Sequence, residues 1–79
     1  MSNLESYKSA FVEGLGIDES KVEETLKYND IPEWDSIGHM TLISNLEEKF
    51  KITIETDDIV DFSSFKKGKE ILSKYKIKI

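Results

Sequence analysis

The segment from Ser36 to Phe50 constrains the fold of this chain most, because it is the longest run with a helical period and a defined start. Asp35 precedes it as a favourable N-cap, and its carboxylate suits the positive end of the helix dipole. The apolar side chains of one face span about 100° on a helical wheel. They belong to Leu42, Ile43, Leu46 and Phe50. The segment is therefore predicted to be an amphipathic helix that packs on a core.

A first helix is predicted from about Leu4 to Leu15. Ser2 and Glu5 have the spacing of a capping box, and the apolar residues that follow recur at a helical period. Gly14 and Gly16 predict its end, because glycine adopts the left-handed C-cap conformation without steric cost.

The last third of the chain is predicted to contain a brief helix near Asp57 to Asp61, opened by Thr56 or Asp57, and a longer final helix. Ser63 is a candidate cap for the final helix. The apolar face of that helix comprises Phe65, Ile71, Leu72 and Tyr75. Gly68 lies on the same face, which predicts that another helix approaches closely there.

Residues 17 to 35 are predicted to form a long ordered connection. Asp18 suits the cap of one or two helical turns, and Ile31 before Pro32 favours an extended backbone. The apolar residues expected to anchor the connection are Ile17, Val22, Leu26 and Ile31. Together these segments predict an all-α fold in one domain over residues 1–79. It is a small four-helix bundle with three longer helices, one short helix and a long first connection.

Composition limits the classes of function. The 79 residues are 38% hydrophobic and include no cysteine, so the core is small and neither disulfides nor thiolate metal sites stabilise it. The opening MSNLESYKSAF lacks the basic start and apolar run of a signal peptide, and no stretch is long enough to span a bilayer. We expect a monomeric, cytoplasmic protein that does not bind membranes.

The net charge of −5 is unevenly distributed. Residues 1–64 hold fifteen Asp or Glu and five Lys, whereas residues 65–79 hold six Lys and one Glu. An acidic main body argues against nucleic acid as a partner and favours positively charged protein partners.

Ser36 admits three interpretations: a helix-start residue without a chemical role, a hydrolytic nucleophile, or a site of covalent attachment. The nucleophile pattern G-x-S-x-G is only half present, because Gly38 follows the serine but Trp34 stands where the first glycine belongs. His39 is the only histidine, and neither a third group to orient it nor an oxyanion hole is recognisable. We therefore exclude catalysis. Attachment remains open, because an accessible hydroxyl at a helix start suits a phosphodiester.

Ile37 and Met40 fall outside the predicted core stripe and close to Ser36. Either they form an apolar patch that a partner binds, or the connection at residues 17–35 folds over them. The two alternatives have equal weight at this point.

The stretch WDSIGHMTLISNLEEKF resembles the modification-site helix of acyl carrier proteins. In that family Asp-Ser-Leu is followed by an amphipathic helix that ends in an acidic pair and Phe. The resemblance rests on Asp35, Ser36, Leu42, Leu46, Glu47, Glu48 and Phe50. It extends over nearly the whole chain, through its length, its four segments and its long first connection.

The resemblance implies that Ser36 carries a 4′-phosphopantetheine arm, transferred from coenzyme A by a phosphopantetheinyl transferase. The thiol of the arm would hold an acyl group as a thioester and present it to acyl-loading and acyl-transfer enzymes, which dock through basic patches. Carried over to this chain, the residues expected to bind partners are Asp35, Ile37, Met40, Glu47, Glu48 and, from the following loop, Ile54.

Two departures from the family pattern concern charge. Gly38 and Thr41 occupy positions that are often acidic in carriers of fatty-acid synthesis. A missing ion pair at an exposed rim changes binding by about 0.2–1 kcal/mol, so we expect a carrier for a specialised pathway rather than the housekeeping fatty-acid carrier. Two alternatives remain. One is a peptidyl or aminoacyl carrier with the same arm, and the other is an unmodified helical interaction module.

The remaining candidate residues are expected to have structural roles. His39 is expected to stack on Trp34 rather than to bind a metal. Asp57, Asp58 and Asp61 lack the spacing of a calcium-binding loop. They are expected to form a solvated acidic turn, and no metal site is predicted.

Overall fold

The computed structural model describes residues 2–79, which contain four α-helices. Helix α1 spans Asn3–Leu15, α2 spans Ser36–Phe50, α3 spans Thr56–Asp61 and α4 spans Phe65–Ser73. A 3₁₀ turn at Glu19–Lys21 lies in the long connection between α1 and α2. No strand occurs among these residues, in which one isolated β-bridge pairs Lys27 with Ser64. The predicted all-α bundle with three longer helices and one short helix is confirmed.

Both ends of α1 depend on local interactions. The Ser2 hydroxyl accepts a hydrogen bond from the Glu5 backbone N–H at 3.1 Å, and Gly16 ends the helix with a φ of 66°. The prediction that Gly14 also stops the helix is wrong, because Gly14 is buried inside it. A Cβ atom at Gly14 would lie 2.7 Å from the Cα of Leu42. Gly14 therefore allows the backbones of α1 and α2 to approach closely.

The start of α4 differs from the prediction by one residue. Ser64, and not Ser63, is the N-cap, and its hydroxyl accepts from the Lys67 N–H at 2.9 Å. The reason is tertiary, because the long connection pairs with this stretch. The Tyr28 N–H donates to the Ser63 carbonyl, and the Phe65 N–H donates to the Leu26 carbonyl, both at 2.9 Å.

Aromatic side chains fill the centre of the core. Trp34, Tyr7, Phe11, Phe62 and Phe65 are all fully buried. The Phe11 ring meets the Trp34 ring edge to face at 5.4 Å, and the Tyr7 hydroxyl donates to the Phe65 carbonyl at 2.5 Å. Burial raises the pKa of Tyr7, so the phenol remains a donor. The cluster thus joins α1, the long connection and α4 around one core.

Gly68 of α4 is buried, as its place on the apolar face predicts. Its close neighbours are side chains, however, and not the backbone of another helix. A Cβ atom there would overlap the Tyr7 hydroxyl and the Phe62 ring. The absence of a side chain at Gly68 therefore leaves room for the Tyr7 and Phe62 side chains of the aromatic core.

The long connection is anchored as predicted. Ile17, Val22 and Leu26 are buried, and Ile31 packs against the core while partly exposed. The Asp18 carboxylate caps the 3₁₀ turn by accepting from the Ser20 N–H at 3.4 Å and the Ser20 hydroxyl at 2.6 Å. The connection is therefore an ordered layer of the fold.

The prediction of a solvated acidic turn is wrong for Asp58, because this residue is buried with 6% of its surface exposed. Its carboxylate accepts from the Lys74 ammonium at 2.5 Å and from the Tyr75 hydroxyl at 2.6 Å. The Tyr75 oxygen in turn accepts from the Glu55 N–H at 3.0 Å. These contacts tie α3 to the turn after α4. The hydrogen bonds from Lys74 and then Tyr75 lower the pKa of Asp58.

Asp58→Asn is expected to weaken the dependence of stability on acid. A carboxyl group whose pKa is lower in the folded state stabilises the fold above its unfolded pKa of about 3.9, and this contribution disappears as the pH falls through the folded pKa. The native chain should therefore lose more unfolding free energy than Asp58→Asn between about pH 6 and about pH 3. Urea unfolding followed by circular dichroism measures this difference.

The matched control for this experiment is Asp57→Asn, which changes an exposed aspartate of the same helix. It should follow the native chain at both pH values. If the native chain and Asp58→Asn lost equal free energy of unfolding on acidification, the assigned role of the Asp58 contacts would be contradicted.

Candidate functional site

Ser36 is the first residue of α2 and its side chain is exposed. The N-cap is Asp35, whose carboxylate accepts from the Gly38 N–H at 2.8 Å. The predicted cap is therefore confirmed, and capping does not use the serine hydroxyl. The hydroxyl stands at the helix surface, where it is accessible to a reagent or an enzyme.

An open groove lies beside Ser36, between the start of α2 and the end of α3, and has a volume of about 350 Å³. Its lining residues are mostly apolar or aromatic. They are Tyr28, Ser36, His39, Met40, Ile59, Val60 and Phe62. A group attached to the Ser36 hydroxyl would thus begin at the margin of an apolar groove.

His39 joins two walls of this groove through its two ring nitrogens. The Trp34 indole N–H donates to Nδ1 of His39 at 2.9 Å. Because an indole nitrogen only donates, Nδ1 carries no proton and Nε2–H donates to the Ile59 carbonyl at 2.8 Å. The two rings are nearly parallel, at 19° with centroids 6.2 Å apart. Because the N–H···N hydrogen bond lies in the ring planes, the rings lie side by side, so His39 contacts Trp34 as predicted but through this bond and not by face-to-face stacking. With both nitrogens engaged, His39 is not placed to take a proton from Ser36.

The structure decides between the two alternatives for Ile37 and Met40. Ile37 is 77% exposed and Met40 is 55% exposed, so the long connection does not fold over them. Val60 of α3 is 76% exposed and lines the same groove as Met40. Val60 is not apparent as a surface residue from the sequence, because α3 has only six residues and a helical period cannot be recognised over so short a stretch.

The acidic residues predicted to bind partners occupy different surroundings. Asp35 adjoins Ser36, whereas Glu47 and Glu48 lie about 16–18 Å farther along the axis of α2. Glu48 is exposed. Glu47 is half-buried, and its carboxylate accepts from the Ile54 N–H at 2.8 Å. Glu47 therefore holds the loop after α2 in place.

Ile54, the loop residue predicted to contact partners, is buried in the free chain with 3% of its surface exposed. The reason lies in the loop geometry. Lys51 ends α2 in the left-handed conformation, with a φ of 54°, and Glu47 then holds the backbone of Ile54. The apolar side chain consequently joins the core.

Gly38 has a packing role that the sequence did not reveal. A Cβ atom at this position would overlap the backbone carbonyl of Glu33, so the path of the connection over the first turn of α2 requires a glycine. The absence of an acidic residue at position 38 is therefore explained by packing. Thr41 is exposed and its hydroxyl donates to the Ile37 carbonyl at 3.2 Å, so its lack of charge is a feature of the surface.

Two negative findings concern the described part of the chain. Within residues 2–79, no cluster of three or more His, Cys, Asp or Glu side chains is arranged to hold a metal ion. No helix in the same range combines the length and the apolar character needed to cross a membrane.

Known proteins include relatives of this chain. The chain is 40% identical over 58 residues to the acyl carrier protein of Chlamydia caviae. The matched region covers 73% of this chain and 75% of that relative. No protein-family model matches the chain.

Proposed function

The chain belongs to the acyl carrier protein family, and we therefore propose that Ser36 is the attachment site of a 4′-phosphopantetheine arm derived from coenzyme A. Membership in the family establishes a carrier role and not an enzymatic one. The observation that carries the proposal is the exposed Ser36 hydroxyl at the start of α2, which Asp35 leaves free by serving as the N-cap.

The surroundings of Ser36 fit a phosphodiester and the arm beyond it. Backbone N–H groups in the first turn of a helix lack intrahelical acceptors, and the positive end of the helix dipole favours an anion. The chain contains no cysteine, so the thiol that holds an acyl group as a thioester would be supplied by the arm. The apolar groove beside Ser36 offers a surface along which such an arm could lie.

Partner enzymes are proposed to dock on the surface around Ser36. Ile37, Met40 and Val60 provide an exposed apolar patch, and Asp35 and Glu48 provide exposed negative charge on or beside α2. A phosphopantetheinyl transferase and acyl-transfer enzymes with apolar and basic docking patches would complement this surface. The proposed carrier acts as a cytoplasmic monomer.

A specialised pathway is the preferred setting for this carrier. The support comes from Thr41, an exposed and uncharged residue of α2, because Gly38 is explained by packing. A peptidyl or aminoacyl carrier would use the same serine and arm. Loading assays with fatty-acyl and aminoacyl adenylating enzymes would separate the two, since only the matching enzyme should form a thioester on the modified chain.

Modification of Ser36 is tested by intact mass after incubation with coenzyme A and a broad-specificity phosphopantetheinyl transferase. The native chain should gain the mass of a single arm, and Ser36→Ala should gain none, because the acceptor oxygen is absent. Ser44→Ala removes another exposed serine of α2 and should be modified like the native chain.

Circular dichroism of each variant establishes that the helices are intact before the masses are compared. A mass gain on Ser36→Ala would show that the arm attaches elsewhere. No gain on the folded native chain with several transferases would favour the unmodified interaction module instead.

A further inference from the structure

The groove beside Ser36 ends on a floor of aromatic rings. His39 and Phe62 line the groove, and their ring centroids are 5.9 Å apart. Trp34 lies behind them, fully buried, with its centroid 6.4 Å from that of Phe62. An apolar chain could pass from the groove into the core only by displacing one of these rings.

Displacing His39 would break both of its hydrogen bonds. The Trp34 N–H would then be a buried donor without an acceptor, since Trp34 is fully buried and His39 is its partner. On the opposite wall of the groove, the Ile59 carbonyl would lose the hydrogen bond that it accepts from His39. Leaving the buried Trp34 N–H unpaired opposes such a movement more strongly than losing an exposed hydrogen bond would.

Widening the groove by moving α3 meets a second obstacle. Two consecutive residues of α3 are held from different directions. The Ile59 carbonyl accepts from His39, and the Asp58 carboxylate accepts from Lys74 and Tyr75. A six-residue helix is marginal by itself, so these contacts determine where α3 lies. Any outward movement of α3 must break one set or both.

We propose that His39 closes the groove beside Ser36 off from the helical core, so that this carrier holds short acyl groups at its surface and does not bury long apolar chains. His39 is a positioning residue in this role, because it acts by joining Trp34 to α3. The inference rests on the proposed attachment of the arm at Ser36.

The chemistry of the cargo follows from this closure. A short acyl group has few methylene groups to remove from water, so a shallow groove serves it nearly as well as a deep one. A long chain gains more from burial, because each methylene group favours the buried state by a factor of about four. If the floor of the groove is closed, the methylene groups of a long chain stay outside the core, and the carrier stabilises a long acyl group no better than a short one.

The test uses the full chain loaded with acetyl, butyryl or octanoyl arms from the corresponding coenzyme A thioesters. The rate of thioester cleavage by hydroxylamine is measured for each and divided by the rate for the same free thioester. In the native chain this ratio should be the same for all three acyl groups. In His39→Ala the octanoyl ratio should fall at least about tenfold, because an opened core can shield that chain.

His39→Gln is the matched variant, because a glutamine amide can still donate to the Ile59 carbonyl. It should behave like the native chain, whereas a merely structural defect would affect both variants. A native ratio that falls steadily from acetyl to octanoyl would overturn the proposal, and so would an unchanged octanoyl ratio in folded His39→Ala. If His39→Ala does not fold, the native series decides. Failure of any arm to add mass would overturn the proposed function itself, and this inference with it.

Discussion

Trp34→Ala is expected to lower the free energy of unfolding by about 3–5 kcal/mol, the range for removing a large buried aromatic side chain. Trp34 is fully buried at the centre of the aromatic core, edge to face with Phe11 at 5.4 Å. The substitution leaves a cavity that the surrounding rings cannot fill. It also removes the donor to Nδ1 of His39, so it loosens the contact between the long connection and α2.

Urea unfolding followed by far-ultraviolet circular dichroism measures this effect, since Trp34 is the only tryptophan and its fluorescence is lost in the variant. Trp34→Phe is the matched control. It keeps much of the apolar volume but no N–H group, so its loss should be smaller than that of Trp34→Ala. A loss within about 0.5 kcal/mol for Trp34→Ala, as for a typical surface substitution, would show that this side chain does not support the core.

Gly14→Ala is expected to destabilise the chain by about 1–3 kcal/mol, the range for forcing an extra methyl group into a packed interior. A destabilising effect is informative, because helix propensity alone favours alanine over glycine by about 1 kcal/mol and would stabilise the variant. The added Cβ would lie 2.7 Å from the Cα and 3.1 Å from the N of Leu42. These are backbone atoms, so no side-chain rotation relieves the overlap, and α1 and α2 must move apart.

The measurement is again the free energy of unfolding in urea. Ser9→Ala, at an exposed position of α1, is the control for helix propensity and should leave stability unchanged or slightly higher. If Gly14→Ala also proved more stable than the native chain, α1 and α2 would not be packed as closely as Gly14 and Leu42 indicate.

Features that depend on neighbouring residues were predictable from the sequence. Helix α2 begins after Asp35, which is a favourable N-cap residue, and it extends over the periodic segment that follows. The Ser2 cap and the Gly16 end of α1 are equally local. Hydrogen bonds over three residues and a left-handed glycine need no distant partner, so the sequence contains all that is required to predict them.

Features that depend on contacts with distant segments were not predictable from the sequence. Asp58 was expected in solvent, yet it binds Lys74, which is 16 residues later in the chain. Ser64 caps α4 because the long connection pairs with that stretch. Ile54 is in the core because of the turn that follows α2. In each case the side chain or backbone suits two environments, and the contact made by another segment selects one.

The candidate site divides in the same way. Ser36, its cap and the apolar pair Ile37 and Met40 could be identified as a candidate site from the sequence, because all lie within one helical turn or the next. The exposure of this pair and the position of α3 as the other wall of the groove depend on tertiary contacts. The hydrogen bond from His39 to Ile59 spans 20 residues. A periodic pattern reports which face of a helix is apolar, but not which distant backbone atom that face meets.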